Sequence, residues 1–159
     1  MNPIRVVWGT ATAPTAMASY DAALAEANVH HYNLVAVSSV VPAKAAVEAV
    51  GTAPDLGPAG QRLTVVEARQ TVAPGDAESA VAGLGWSRES DGPGIFYEAA
   101  GIDRDDVTAR IEVGLEAGRD LREWSFDDGG RHIIESEAAT DAYTTALVLA
   151  VYGESTPIL

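Results

Sequence analysis

Residues 32–42 read Tyr32-Asn33-Leu34-Val35-Ala36-Val37-Ser38-Ser39-Val40-Val41-Pro42, the most strand-like run in the chain. β-branched residues fill it and Pro42 ends it. It is apolar at both parities, which predicts a central strand covered on both faces. On either side the same reading gives a strand over Ile4-Arg5-Val6-Val7-Trp8, ending at Gly9, and a helix over 15–27. Met17, Tyr20 and Leu24 share one face of that helix at helical spacing. Residues 42–60, rich in Ala, Pro and Gly, predict a long loop with at most one helical turn near 43–50. A strand over 63–72 follows, then a helix over 76–88 capped by Asp76. A short strand over 95–100 leads to a helix over 103–121, with Val107, Ile111 and Leu115 on one stripe. Two long segments close the chain, 123–127 with 131–137, and 143–152. The last is ambiguous between helix and strand, and its β-branched content favours strand. The expected order, β-α-β-β-α-β-α-β-β, sets strands side by side without helices between them. That argues against a doubly wound parallel sheet and for a layered α+β fold.

The chain has 159 residues, enough for one domain with a real core. It carries 23 Asp and Glu against 10 Lys and Arg, a net charge of −13, and Lys44 is the only lysine. Scattered basic residues form no patch to neutralise phosphates, so neither a nucleic acid nor an anionic membrane is an expected partner. The absence of cysteine excludes thiol catalysis, disulfides and thiolate metal sites. No apolar run is long enough to span a bilayer. The opening Met-Asn-Pro-Ile-Arg-Val-Val-Trp lacks the apolar stretch of a signal peptide, and a cytoplasmic location is expected. Two readings compete for the acidity: a site for a cationic ligand, or a solvated surface suited to high salt. Its spread along the whole chain favours the surface for most of it.

Familiar catalytic patterns are missing. His30 and His31 are adjacent, so in a strand they would face opposite sides and make poor metal ligands. Gly92-Pro93-Gly94 is too short to cradle a phosphate. Ser38-Ser39 stands out within its apolar strand, yet on that feature alone two serines bonding to nearby backbone would be the ordinary reading.

Three separated motifs change that reading. Residues 33–42 run Asn, Leu, three apolar or small residues, Ser-Ser, two apolar residues and Pro. Upstream stands Tyr20-Asp21-Ala22-Ala23-Leu24; downstream stand Gly94-Ile95-Phe96-Tyr97-Glu98 and Gly101. In this order and spacing they resemble the pyruvoyl-dependent arginine decarboxylases over most of the chain. The acidity, the scarcity of lysine and the 42–60 loop depart from that family, but none touches the motif positions.

The resemblance implies a four-layer αββα sandwich of mainly antiparallel sheets. It also implies a single domain, 1–159, that cuts itself into a β chain, 1–38, and an α chain, 39–159. Ser39 would attack the Ser38 carbonyl, and elimination would leave Ser39 as a covalently bound pyruvoyl group, with no pyridoxal phosphate and no metal. That group would serve as the electron sink for loss of carbon dioxide from L-arginine, giving agmatine. Asn33 is the candidate oxyanion partner in the cleavage, since its amide donates without titrating. Glu98 is the candidate proton donor, held protonated by burial. Asp21 is the candidate for the substrate guanidinium, with Tyr20 and Leu24 flanking the aliphatic part; an exposed helical Asp is the competing reading for Asp21. Trimers of processed protomers with active sites between subunits are also implied. Two rivals stand beside this reading: the same chemistry on histidine or aspartate, and an unprocessed relative that only binds a small molecule or partner.

Overall fold

Strand β9 (Tyr143–Tyr152) resolves the ambiguity at the end of the chain: it is extended, and eight of its ten residues are buried. Burial on both faces explains why its sequence shows no alternation. The computed structural model describes residues 2–159. β9 lies between β1 (Ile4–Ala13) and β5 (Arg62–Val72) and runs antiparallel to both. β2 (Asn33–Ala36) and β4 (Val47–Gly51) join the edges of this sheet in parallel, giving the order β2-β5-β9-β1-β4. The second sheet is antiparallel. It orders β3 (Val40–Val41), β7 (Gly94–Gly101), β6 (Ser79–Arg88) and β8 (Asp128–Glu137).

Alternating side chains sort into three apolar layers. Val6, Val148 and Ala150 of the first sheet meet Ala82, Leu84 and Phe96 of the second, between the sheets. Val7, Leu147 and Leu149 point the other way, toward Ala23 and Leu24 of α1 (Ala16–Glu26). Val81, Ile95 and Ala99 meet Val107, Ile111 and Leu115 of α2 (Arg104–Asp120). The layers therefore run helix, sheet, sheet, helix, the expected αββα sandwich. Thr15 caps α1 through a bond to Ala18 N–H, and Asp103 caps α2 through Asp106 N–H.

Several expectations need correction. Residues 76–88 are no helix: β6 begins at Ser79, and Asp76 lies in a turn. Good helix formers were overridden by packing, because the α2 side of β6 must be nearly flat. A Cβ on Gly83 would sit 2.7 Å from Ile111 Cδ1, so the small residues are there to let the helix approach. β1 runs straight through Gly9 to Ala13. The turn expected near 43–50 is β4, paired with β1, and 123–127 forms no strand. Met17 is 73% exposed and takes no part in the buried face of α1.

The run over 32–41 is not one central strand. It splits into β2, at the edge of the first sheet, and β3, at the edge of the second, and residues 37–39 cross between them. Its apolar outer residues Val35, Val37 and Val40 are exposed. The crossing places Ser38 and Ser39 at the rim of the sandwich, beside β7.

Candidate active site

Ser39 sits where an extended chain has to turn from one sheet to the other. Its φ of 71° lies in the left-handed region, which costs an L-residue about 1–2 kcal/mol. Two bonds hold it there. Phe96 N–H donates to the Ser39 carbonyl at 2.8 Å, and the Tyr152 hydroxyl donates to the Val40 carbonyl at 2.8 Å. The Tyr152 ring stands edge-on to Phe96, with centroids 6.1 Å apart. Burial pushes the Tyr152 phenol well above its ordinary pKa, and the nearby Glu98 charge adds to the shift. Tyr152 is thus a proton-bearing donor at any neutral pH.

The Ser39 hydroxyl donates to Glu98 Oε2 at 3.3 Å. Both residues line a cavity of about 440 Å³ between β7 and the end of α2, together with Ser38, Tyr97 and Arg122. The cavity exists because α2 is small on this side. A Cβ on Gly114 would overlap the Tyr97 ring. Tyr97 also walls a neighbouring cavity of about 400 Å³ lined by Val113, Ala109 and Arg110. Its ring separates the two spaces while Glu98 reaches both. Glu98 is exposed in the single chain, so the burial expected to hold its proton is not supplied by this chain alone.

Of the residues singled out in the sequence, the structure brings together Ser38, Ser39 and Glu98. It places Asn33, Tyr20, Asp21 and Leu24 elsewhere. The Asn33 amide, at the start of β2, donates to the Gly60 carbonyl at 2.8 Å. Tyr20 gives its hydroxyl to Glu67, at 2.8 Å to one oxygen and 3.1 Å to the other. The Arg69 guanidinium lies 4.2 Å over the Tyr20 ring. Burial first, and then the Glu67 bond, push the Tyr20 phenol up to about 12. Leu24 is 7% exposed and belongs to the core under α1. Asp21 is exposed on α1. None of these four lines the Ser39 cavity.

Tyr152 and Arg122 were not singled out from the sequence. Tyr152 ends an apolar strand, where a tyrosine is common, and more than a hundred residues separate it from Val40. Nothing local marks either side chain.

The fold and site define an αββα sandwich in which two adjacent serines and a carboxylate line one cavity. The model of the family described as pyruvoyl-dependent arginine decarboxylase matches residues 3–157. The chain is 53% identical to a pyruvoyl-dependent arginine decarboxylase of Halobacterium salinarum, over 99% of this chain and 98% of that one. It is 30% identical to one of Pyrococcus abyssi, over 86% of this chain and 85% of the relative. A relative of the same name from Thermococcus kodakarensis is 32% identical, over 80% and 81%. The chain belongs to the pyruvoyl-dependent arginine decarboxylase family. Among the described residues no helix is long and apolar enough to cross a membrane.

Proposed function

We propose that this chain cuts itself between Ser38 and Ser39, gains a pyruvoyl group at residue 39, and decarboxylates L-arginine to agmatine. The observation that carries this reading is the Ser39 geometry: a left-handed serine with its hydroxyl 3.3 Å from Glu98. In the first step a bond forms from Ser39 Oγ to the Ser38 carbonyl carbon and the peptide C–N bond breaks, giving an ester and a free Ser39 amine. Loss of the Ser39 Cα proton then breaks the Cβ–Oγ bond and frees Ser38 as a carboxylate. Water replaces the residue-39 nitrogen, which leaves as ammonia. A strained backbone favours the first step by raising the energy of the starting peptide. Glu98 is placed to accept the hydroxyl proton.

The residues present fit the group. The three-carbon pyruvoyl group formed from residue 39 would open into the 440 Å³ cavity. The bond from Phe96 N–H would orient the 39–40 peptide beneath it, and the bond from Tyr152 would fix the next peptide, 40–41. Once formed, the group supplies an electrophilic carbonyl and an electron sink for loss of carbon dioxide. Glu98 is placed to pass a proton to the carbon that loses carbon dioxide. Tyr97, Phe96 and Ile95 exclude water from one wall.

The reading includes a trimer. Asp21 and Asn33 lie away from Ser39 in one chain, and Val35, Val37 and Val40 expose an apolar rim beside it. A second copy seated on that rim would bury Glu98 and complete the site. The net charge of −13 suits a cytoplasm rich in salt. Intact-mass measurement and carbon dioxide release from arginine, histidine and aspartate test the proposal together. A chain that stays at full length, or one that is cleaved but inert toward arginine, overturns it.

A further inference from the structure

We infer that Arg122 is the counter-ion of the carboxylate that cleavage creates on Ser38. The inference rests on the self-cleavage proposed above. Three other guanidinium groups of this acidic chain have a carboxylate partner: Arg69 with Glu67, Arg110 with Asp106, and Arg131 with Glu112. Arg122, like Arg5, Arg62, Arg88, Arg104 and Arg119, has no described carboxylate within 4.0 Å; of these six it alone is near the two serines. It lines the Ser39 cavity, which also contains Ser38.

One bond fixes Arg122 in that wall. Its Nη1 donates to the Gly118 carbonyl at 2.8 Å, and its Cζ stands 5.5 Å from the Trp124 ring centre. Capping the last turn of α2 is an ordinary use of an arginine, but it employs one of five N–H donors. The others have no described acceptor.

Cleavage supplies one. When the Ser39 Cβ–Oγ bond breaks, the electron pair stays on oxygen and Ser38 becomes a chain end with two carboxylate oxygens. The Cα proton is lost to solvent. The cavity then holds the Ser38 carboxylate beside the Glu98 carboxyl group, and Arg122 is the only cation among its lining residues. A guanidinium meets a carboxylate through two parallel bonds, which fix orientation as well as charge. Pairing with Arg122 would anchor the 1–38 chain at its new end and separate that charge from Glu98, the neighbouring group that must carry a proton.

The test is titration of the Ser38 terminus by carbon-13 NMR in protein labelled at serine carbonyls. The terminal resonance is recognised by its absence from the uncleaved Ser39→Ala protein. An ordinary α-carboxyl titrates near 3.3–3.7, and a close guanidinium lowers a carboxyl by about 1–3 pH units. The cleaved wild type should titrate below the ordinary range. Arg122→Gln should return the midpoint upward by about 1 pH unit or more, and Arg122→Lys should keep most of the depression. A wild-type midpoint at or above the ordinary range overturns the inference, as does an equal midpoint in a cleaved Arg122→Gln protein.

Calorimetry separates the other source of a carboxylate, the substrate itself. Agmatine carries an amine where 5-guanidinopentanoate carries a carboxylate, and neither can be decarboxylated as an amino acid, so each ligand is compared between wild type and variant rather than with the other. Arg122→Gln should bind both about as wild type does. A selective loss of more than tenfold for 5-guanidinopentanoate would assign Arg122 to the substrate and overturn the pairing with Ser38. A wild-type chain that stays at full length refutes the self-cleavage reading, and intact mass shows that outcome directly.

Discussion

The Ser39 hydroxyl and the Glu98 carboxylate lie 3.3 Å apart, joining the segment that crosses between the sheets to β7, the strand beside β3 in the second sheet. The contact links a residue under backbone strain to one on a regular strand. Only the strand partner is fixed by its own hydrogen-bonded ladder. Ser39 is held from outside, by Phe96 and Tyr152. Under the proposed self-cleavage the chain would break at the strained residue, outside the ladders of both sheets.

Ser39→Ala removes the nucleophile but keeps the strain, and Ser39→Gly removes both. Neither variant should be cleaved, and each should give one full-length species by intact mass. In urea the glycine variant should be the more stable of the two by about 1 kcal/mol, since glycine enters the left-handed region without steric cost. A cleaved alanine variant would take the nucleophile role away from Ser39. Equal stabilities would mean that the φ of 71° stores no strain.

Glu98→Gln keeps the shape of the side chain and removes its proton. Cleavage should go to completion, slowly. Turnover of arginine by the cleaved protein should fall by about 10²–10⁴-fold, the usual worth of a positioned acid or base. Single-turnover carbon dioxide release and the final extent of cleavage separate the two effects. A fully active glutamine variant would remove Glu98 from proton transfer.

How far the sequence spoke for itself differs between the parts of this molecule. α2 was plain, because Val107, Ile111 and Leu115 repeat at helical spacing and all three are buried. The sequence of β6 suggests a helix, because its glycines are kept small for Ile111, a partner some thirty positions away. The split of 32–41 was hidden for a related reason. β-branched residues predict extension, but nothing in them says that two sheets share the run. At the site, the order of motifs marked Ser38, Ser39 and Glu98. The hold on Ser39 was invisible, since it comes from a backbone N–H and from Tyr152 at the far end of the chain. The placement of Tyr20 against Glu67 is equally hidden, because nothing in the 63–72 run sets Glu67 apart from its other polar residues.

Gly114→Ala tests what keeps the cavity open. The added methyl would overlap the Tyr97 ring, which is partly exposed and able to swing away. Overpacking of a rigid neighbour costs about 1–3 kcal/mol, and a mobile one costs toward the lower end. The displaced ring has the two cavities on either side of Glu98 to move into. Activity should therefore fall further than stability, on the order of tenfold or more, because small misplacements at a reacting centre are expensive. Cleavage, which needs no substrate space, should be retained. Comparing urea midpoints with kcat/KM checks the ranking; an active variant would show that Tyr97 does not shape the site.

Tyr20→Phe should alter how stability depends on alkaline pH. In the fold the Tyr20 phenol is pushed up to about 12, by burial first and by its bond to Glu67 second. In the unfolded chain it titrates near 10. A raised folded pKa means that the fold favours the protonated phenol. Its contribution is therefore complete below pH 10 and is lost as the pH rises from 10 toward 12. At pH 8 the phenylalanine variant should be less stable by about 1 kcal/mol, the net worth of one hydrogen bond at a half-exposed site. Between pH 10 and 12 the wild type should lose stability more steeply, so that the two curves converge. Tyr152 is shifted in the same direction in both proteins, so subtracting the curves isolates Tyr20. Urea unfolding at half-unit steps from pH 8 to 12 provides the measurement. Parallel curves across that range would mean that the Tyr20–Glu67 bond does not hold the proton on the phenol.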